Sequence, residues 1–296
     1  MAVFKQLPAM QPLVRRDLES LCASIREECD GNGLREVAIT TNGLQLARRL
    51  PGLLAAGLTG VNISLDTLQE DKFRRMTRRP GSERVLAAIH AAVQSPLPSP
   101  VKVNCVVMGG VNEEDMQPMA QLARELPLHM RFIEYMPFDD NQWDSRHGKR
   151  GGMVPYQQML STVMGHFPEL RPADDAGRVL VGGEVGDGGH PSSHSIAKLY
   201  SAPGWAGAVG FITSMTSAFC GGCSRLRLTA DGSLKVCLFG NTEVSLRDAM
   251  RGGVDDDGLK AIIRGALMGK AWSYGGHASP ADIAASSNRP MILIGG

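Results

Sequence analysis

The sequence lacks an excess of charge of either sign: 31 Lys and Arg stand against 30 Asp and Glu, a net charge of +1. A global field that would draw the chain to nucleic acid or to an acidic membrane surface is therefore excluded, and any anion binding has to be local. No apolar run approaches the length of a membrane span. The opening residues Met1 to Leu7 read as neither a secretory leader nor a transit peptide, and run almost at once into structured sequence. There is no internal repeat. The stretch from Pro172 to Ser195 is rich in Gly, Asp and Ser but lacks the spacing of a phosphate loop, so it is expected to be a surface excursion without a catalytic role. Cysteine is sparse as well: six in 296 residues do not make a disulfide scaffold. Cys22 and Cys29 in a helical stretch and Cys105 in a strand are expected to be free thiols that fill apolar space in a reducing compartment. With 43% hydrophobic and 21% charged residues, the chain can bury one large core or two modest ones.

Strands and helices alternate along the first half. Apolar positions at helical spacing predict a helix between Pro12 and Glu28, then others around Leu44–Ala56, up to Val93 and over Met116–Glu125. Between them lie the expected strands Val37–Thr41, Val61–Leu65, Val101–Met108 and Met130–Tyr135. Such alternation implies a parallel sheet with crossover helices. Central parallel strands normally read as unbroken apolar runs, and these do not. Thr40 and Asn42, then Asn62, Ser64 and Asp66, then Lys102 and Asn104 alternate with apolar neighbours, so one face of each strand is polar. A polar inner face repeated on successive strands is what a sheet curled around a ligand cavity needs. Lys102 carries most weight, because a lysine in mid-strand requires an anionic partner or solvent.

Farther on, Cys220, Cys223 and Cys237 stand at C-x2-C-x13-C around what reads as a β-hairpin with Ala230-Asp231-Gly232 as its turn. Three thiolates are one short of a closed structural zinc site. An iron–sulfur cluster held by three cysteines fits better, because it leaves one iron open. Arg225 and Arg227, two apart, share a strand face and suit bidentate phosphate binding. A three-residue turn with Gly232 in the left-handed conformation sets Cys237 opposite Arg225 on that face, whereas a two-residue turn would flip it away. The three-residue turn is the expectation. Two milder readings stay open: a zinc knuckle completed by His194 or His277, and a disulfide pair with a spare thiol. Helices are expected at Tyr156–Met164, Val244–Arg251 and Gly258–Gly269.

Thr40-Thr41-Asn42-Gly43, Asn62-Ile63-Ser64-Leu65-Asp66, Lys102-Val103-Asn104, Arg131 to Pro137, the cysteine hairpin and the terminal Gly295-Gly296 together closely resemble one family, the radical S-adenosylmethionine GTP 3′,8-cyclases, which open molybdenum cofactor biosynthesis. The resemblance runs in order from about Pro12 to Gly296 and is nearer the eukaryotic, mitochondrial branch. It implies an α/β fold: an incomplete TIM-type (β/α) barrel of the radical SAM kind over residues 1–137, lacking its first strand or strands. A C-terminal region, 138–296, would carry the cysteine hairpin and its cluster. By the same resemblance Cys220, Cys223 and Cys237 hold a 4Fe–4S cluster whose open iron meets the guanine of GTP. Thr40, Lys102, Arg131, Arg225, Leu226 and Arg227 line the GTP site, Ser64 and Met136 contact S-adenosylmethionine, and Gly295 and Gly296 form a tail that reaches the active site. GTP, the downstream cyclic pyranopterin monophosphate synthase and a second copy in a homodimer are the implied partners, with no nucleic acid and no membrane. The implied compartment is the mitochondrial matrix for a eukaryotic chain and the cytoplasm otherwise.

The departures carry equal information. The family's Cys-x3-Cys-x2-Cys, which binds the cluster that reduces S-adenosylmethionine, has no counterpart here, and Cys22 and Cys29 have the wrong spacing. Ala9-Met10-Gln11-Pro12 stands where the family has Gly-Gly-Glu-Pro, and Gln6 replaces an upstream phosphate-binding cation. The chain is thus expected to be a truncated GTP 3′,8-cyclase that performs no radical chemistry alone and is poorly soluble. Its rivals are a non-catalytic GTP- or iron–sulfur-binding remnant, or a regulatory partner of a full-length copy, and a zinc-stabilised structural module.

Overall fold

The computed structural model describes residues 3–7, 12–29, 31–136, 152–180, 196–217, 220, 223–271, 274–277, 279, 282–283, 286, 288–289 and 294. The chain divides into two compact units. One holds residues 1–7, 11–135 and 149–216, and the other holds 8–10, 136–148 and 217–296. The described residues 152–180 and 196–216, grouped by sequence with the C-terminal region, thus fall in the first unit.

The first unit is built on one sheet. Strands β1 (Val3–Leu7), β2 (Leu34–Thr41), β3 (Gly60–Ser64), β4 (Val101–Gly109) and β5 (Leu128–Glu134) lie side by side in chain order. Strand β6 (Gly152–Met153) pairs with the end of β4. Beyond β5 the sheet continues through β9 (Ala208–Ile212) and β8 (Lys198–Ser201) to β7 (Arg171–Ala173). Along the path β1-β2-β3-β4-β5-β9 every pairing is parallel, and those of β6 with β4, β8 with β9 and β7 with β8 are antiparallel.

The helices that return the chain are α1 (Leu18–Cys29), α2 (Leu46–Ala55), α3 (Glu70–Thr77), α4 (Ser82–Val93), α5 (Met116–Glu125) and α6 (Tyr156–His166). Their packing follows from spacing. Val85, Ala88, Ile89 and Ala92 on α4, and Met116, Met119, Ala120 and Ala123 on α5, recur at i, i+3, i+4 and i+7 and are all buried. They cover the apolar face of the sheet, where Ile39, Ile63, Val103, Cys105, Met130 and Phe132 have no exposure. Cys22 and Cys105 are free, buried thiols inside this core, as expected, and burial pushes both up.

The helix expected from Pro12 begins with a single 3-10 turn, Pro12–Val14, before α1. Strands β7, β8 and β9 have no counterpart in the sequence reading, and residues 181–195 of the glycine-rich excursion, His194 among them, lie outside the described residues.

The second unit has its own small antiparallel sheet, β10 (Arg227–Leu228), β11 (Ser233–Lys235) and β12 (Glu243–Ser245). Helices α7 (Leu246–Arg251) and α8 (Asp256–Met268) follow. The helix expected from Val244 starts only at Leu246, because Ser245 is its cap: its hydroxyl accepts from the Asp248 amide at 3.1 Å. Asp255 caps α8 in the same way, onto the Gly258 amide at 2.8 Å.

Candidate active site

Strand register lines up the polar face in rows. Thr40, Asn62, Lys102 and His129 are direct cross-strand neighbours in one row, and Ser64, Asn104 and Arg131 in the next. The Arg131 guanidinium donates to Asn104 Oδ1 and Asn62 Oδ1, each at 2.8 Å. Asn62 in turn donates to Thr40 Oγ1 at 3.4 Å. Arg131 is buried, and Thr40 and Lys102 are half-covered. Four expected positions are therefore brought onto one surface, although Ser64 in the outer row is exposed.

Lys102 has the anionic neighbour that a mid-strand lysine needs. Its Nζ lies 3.7 Å from Glu36 Oε1, a buried oxygen with no hydrogen-bond partner among the described residues. Burial pushes the Lys102 ammonium down, Glu36 opposes that, and the charge of Arg131 reinforces it. A Cβ on Gly60 would come 2.2 Å from that same Glu36 oxygen, so the carboxylate occupies space that only glycine leaves. His129 is held down to about 4, first by burial and then by the charges of Lys102 and Arg131, and is neutral at physiological pH.

Two polar residues of the same strands are used differently. Asn42 Oδ1 accepts from the Leu44 amide at 3.2 Å and thereby builds the turn after β2. The Asp66 carboxylate accepts from the Val106 amide at 2.9 Å, which ties the ends of β3 and β4, and burial raises it to about 6.

In the second unit Arg227 pairs with Lys235, Leu228 with Leu234, and the Thr229 amide donates to Ser233 O at 2.9 Å. The loop is therefore Ala230-Asp231-Gly232, with Gly232 at φ +81. This is the expected three-residue turn, and the ladder above it ends at Arg227 and Lys235. Arg225 lies in the field of Cys220 and Cys223, and Arg227 in that of Cys223 and Cys237. Both guanidiniums are half-buried, and desolvation lowers both. Leu226 between them points out and is exposed. At Cys223 burial alone would raise the thiol. The Arg225 amide and the Lys270 ammonium overcome it and hold the group below its usual range.

All three cysteines are free. Among the described residues no three His, Cys, Asp or Glu side chains converge as on a single metal ion. His277 is turned instead to Phe239 O at 3.3 Å. A four-iron cluster takes each thiolate on a different iron, so its ligands surround the group rather than meet at a point. The donor set fits such a cluster: three accessible thiols, one already inclined to ionise, with two cations beside them.

Met136 is half-buried in the second unit, and Gly295, Gly296 and residues 8–11 lie outside the described residues. Sequence reasoning missed Glu36, His129 and Lys270. The first two carried a signal, since 36, 38 and 40 on β2, and 129 and 131 on β5, alternate onto the same face. Lys270 carried none.

Two family models match the chain. One described as Molybdenum Cofactor Synthesis C covers residues 128–275, and one described as Radical SAM superfamily covers 9–123. The chain is 44% identical over 291 residues to the mitochondrial GTP 3′,8-cyclase of Arabidopsis thaliana, spanning 98% of this chain and 67% of that protein. It is 45% identical over 289 residues to molybdenum cofactor biosynthesis protein 1 of Homo sapiens, spanning 98% of this chain but only 41% of that protein. Against the GTP 3′,8-cyclase of Corynebacterium glutamicum (strain R) the identity is 40% over 288 residues, covering 97% of this chain and 71% of that protein.

Proposed function

The chain belongs to the GTP 3′,8-cyclase family of radical SAM proteins, and from that premise we propose that its residues bind GTP beside a three-cysteine 4Fe–4S cluster for the first step of molybdenum cofactor biosynthesis. The reaction is cyclisation of GTP to (8S)-3′,8-cyclo-7,8-dihydroguanosine 5′-triphosphate, which joins the ribose 3′-carbon to C8 of guanine. The observation that supports the reading is the hairpin, where Arg225 lies in the field of Cys220 and Cys223 and Arg227 in that of Cys223 and Cys237.

Cys220, Cys223 and Cys237 would hold the cluster. When bound, it supplies an open iron that polarises a coordinated purine. The chain's own residues supply charge and shape. Arg225 and Arg227 meet an anion from a half-buried setting, where charge-assisted hydrogen bonds are stronger than in water. Lys102 and Arg131 offer two further cations on the polar face of the sheet, Arg131 already oriented by Asn62 and Asn104. Thr40 would add a hydroxyl to that face, and Ser64 and Met136 would contact S-adenosylmethionine. In this reading the parallel strands are the described part of a radical SAM barrel. The product passes to a cyclic pyranopterin monophosphate synthase, and a homodimer is the expected assembly. The compartment would be the mitochondrion, as in the name of the plant relative.

The 296 residues contain no Cys-x3-Cys-x2-Cys. This polypeptide alone is therefore expected to bind GTP without releasing 5′-deoxyadenosine from S-adenosylmethionine. Anaerobic reconstitution followed by iron and sulfide analysis and electron paramagnetic resonance tests the reading. GTP should perturb the cluster signal, and replacing Arg225 or Arg227 with Ala should weaken GTP binding about 10- to 100-fold, the loss of one charged hydrogen bond or two. Zinc without iron or sulfide, or a cluster indifferent to GTP, would overturn it.

A further inference from the structure

Lys270 stands just beyond α8, after the capping Gly269, with its own amide bonded to Leu267 O at 3.1 Å. No residue of α8 is buried, so the helix owes little of its position to a core. Its side chain reaches into the cysteine loop. Lys270 Nζ donates to Cys223 O at 2.7 Å, lies 3.3 Å from Arg225 O, and is 3.5 Å from Cys223 Sγ, within range of a hydrogen bond to sulfur. An ammonium has three protons, and three acceptors of one short segment surround this one. That segment bears a cluster ligand at one end and a GTP-binding arginine at the other.

We infer that Lys270 is a positioning residue for the three-cysteine cluster: its ammonium ties the Cys223 and Arg225 carbonyls together and donates to the Cys223 sulfur, retaining the cluster and setting its reduction potential. Two effects follow. Donors that orient a ligand from outside the coordination shell contribute to metal retention, and their loss typically costs about 10- to 100-fold in affinity. A positive charge and a hydrogen bond at a ligating sulfur also favour the more negatively charged, reduced cluster. Removing them makes reduction harder. The inference rests on the cluster reading above.

The test compares the parent chain with Lys270→Met and Lys270→Arg after anaerobic reconstitution. Iron and sulfide per chain, release of iron to a chelator, and a redox titration followed by electron paramagnetic resonance are the readouts. No other cysteines of the chain have cluster spacing, so the signal reports this site alone. In Lys270→Met, iron release should be about 10- to 100-fold faster and the potential more negative. Lys270→Arg, which keeps charge and donors, should lie close to the parent. Equal potentials at equal iron content would reduce Lys270 to a loop prop and overturn the inference while leaving the cluster reading intact. A parent chain that takes up no iron would overturn both. Should Lys270→Met lose its circular dichroism spectrum, Lys270→Gln replaces it, and loss of fold in that variant too would mark Lys270 as structural and overturn the inference.

Discussion

His129 and Asp66 are shielded titratable groups whose effects on stability have opposite signs. The folded state holds His129 near 4, below its ordinary 6.5, so the unfolded chain binds a proton that the folded one refuses. Its contribution is complete above pH 6.5 and falls as pH drops towards 4. Asp66 is raised from 3.8 to about 6, so here the folded state binds the extra proton, and its contribution falls as pH rises from 4 to 6. Each shift corresponds to up to about 3 kcal/mol, and over a shared window they largely cancel. Relative to the parent, His129→Gln should lose stability as pH rises from 4 to 6, and Asp66→Asn should gain it. Urea midpoints at half-unit pH steps check this, and parallel profiles for both variants would refute it.

The same residues show what the sequence could and could not disclose. Lys102 was legible because a charge in an otherwise apolar strand must face something polar, whereas Arg131 came only with the family resemblance. Glu36 was passed over because it precedes the apolar run of β2, and its significance depends on Gly60, which is distant in sequence.

At the level of elements, the cysteine hairpin rests on its turn. Gly232 needs its positive φ, and a Cβ there would also come 2.6 Å from Arg247 Cβ. Thr229 donates to Asp231, and Arg289 Nη1 reaches Asp231 at 2.9 Å while its other nitrogens grip the Glu243 carboxylate. The Thr229 hydroxyl first, and Arg289 next, hold the Asp231 carboxyl down to about 2. Lys235, fully buried, bonds Gly240 O and Asn288 Oδ1 and lies 3.5 Å from Glu243. Gly232→Ala is expected to cost about 1–2 kcal/mol from the left-handed backbone alone, more with the contact to Arg247. It should also loosen cluster retention, because register fixes where Cys237 faces. A melt together with iron retention measures both, and an unchanged pair of values would count against the turn's role.

Elements were legible in proportion to their periodicity. Helix α5 was expected at its observed bounds because its apolar spacing is regular. Strands β8 and β9 went unread because they are short and buried on both faces, and such runs have no alternation to detect.

At the scale of the whole molecule, one carboxylate joins three distant stretches of the first unit. Glu134, at the end of β5, accepts the Tyr156 amide at 2.8 Å and the Met215 and Thr216 amides at 2.7 and 2.9 Å, as well as the Thr216 hydroxyl. It has no exposure. Two of the points where the chain passes from the first unit to the second lie at this one side chain: just after Tyr135, its neighbour in sequence, and just after Thr216, which it holds. Glu134→Gln turns an amide group towards donors and should cost about 3 kcal/mol, the penalty of a buried charged hydrogen bond lost, read from denaturant unfolding.

The mooring has a kinetic counterpart. The Tyr156, Met215 and Thr216 amides share one buried carboxylate as acceptor, so in deuterated solvent they should exchange with similar opening free energies although sixty residues separate the first from the last. The glutamine variant should accelerate all three by a similar factor.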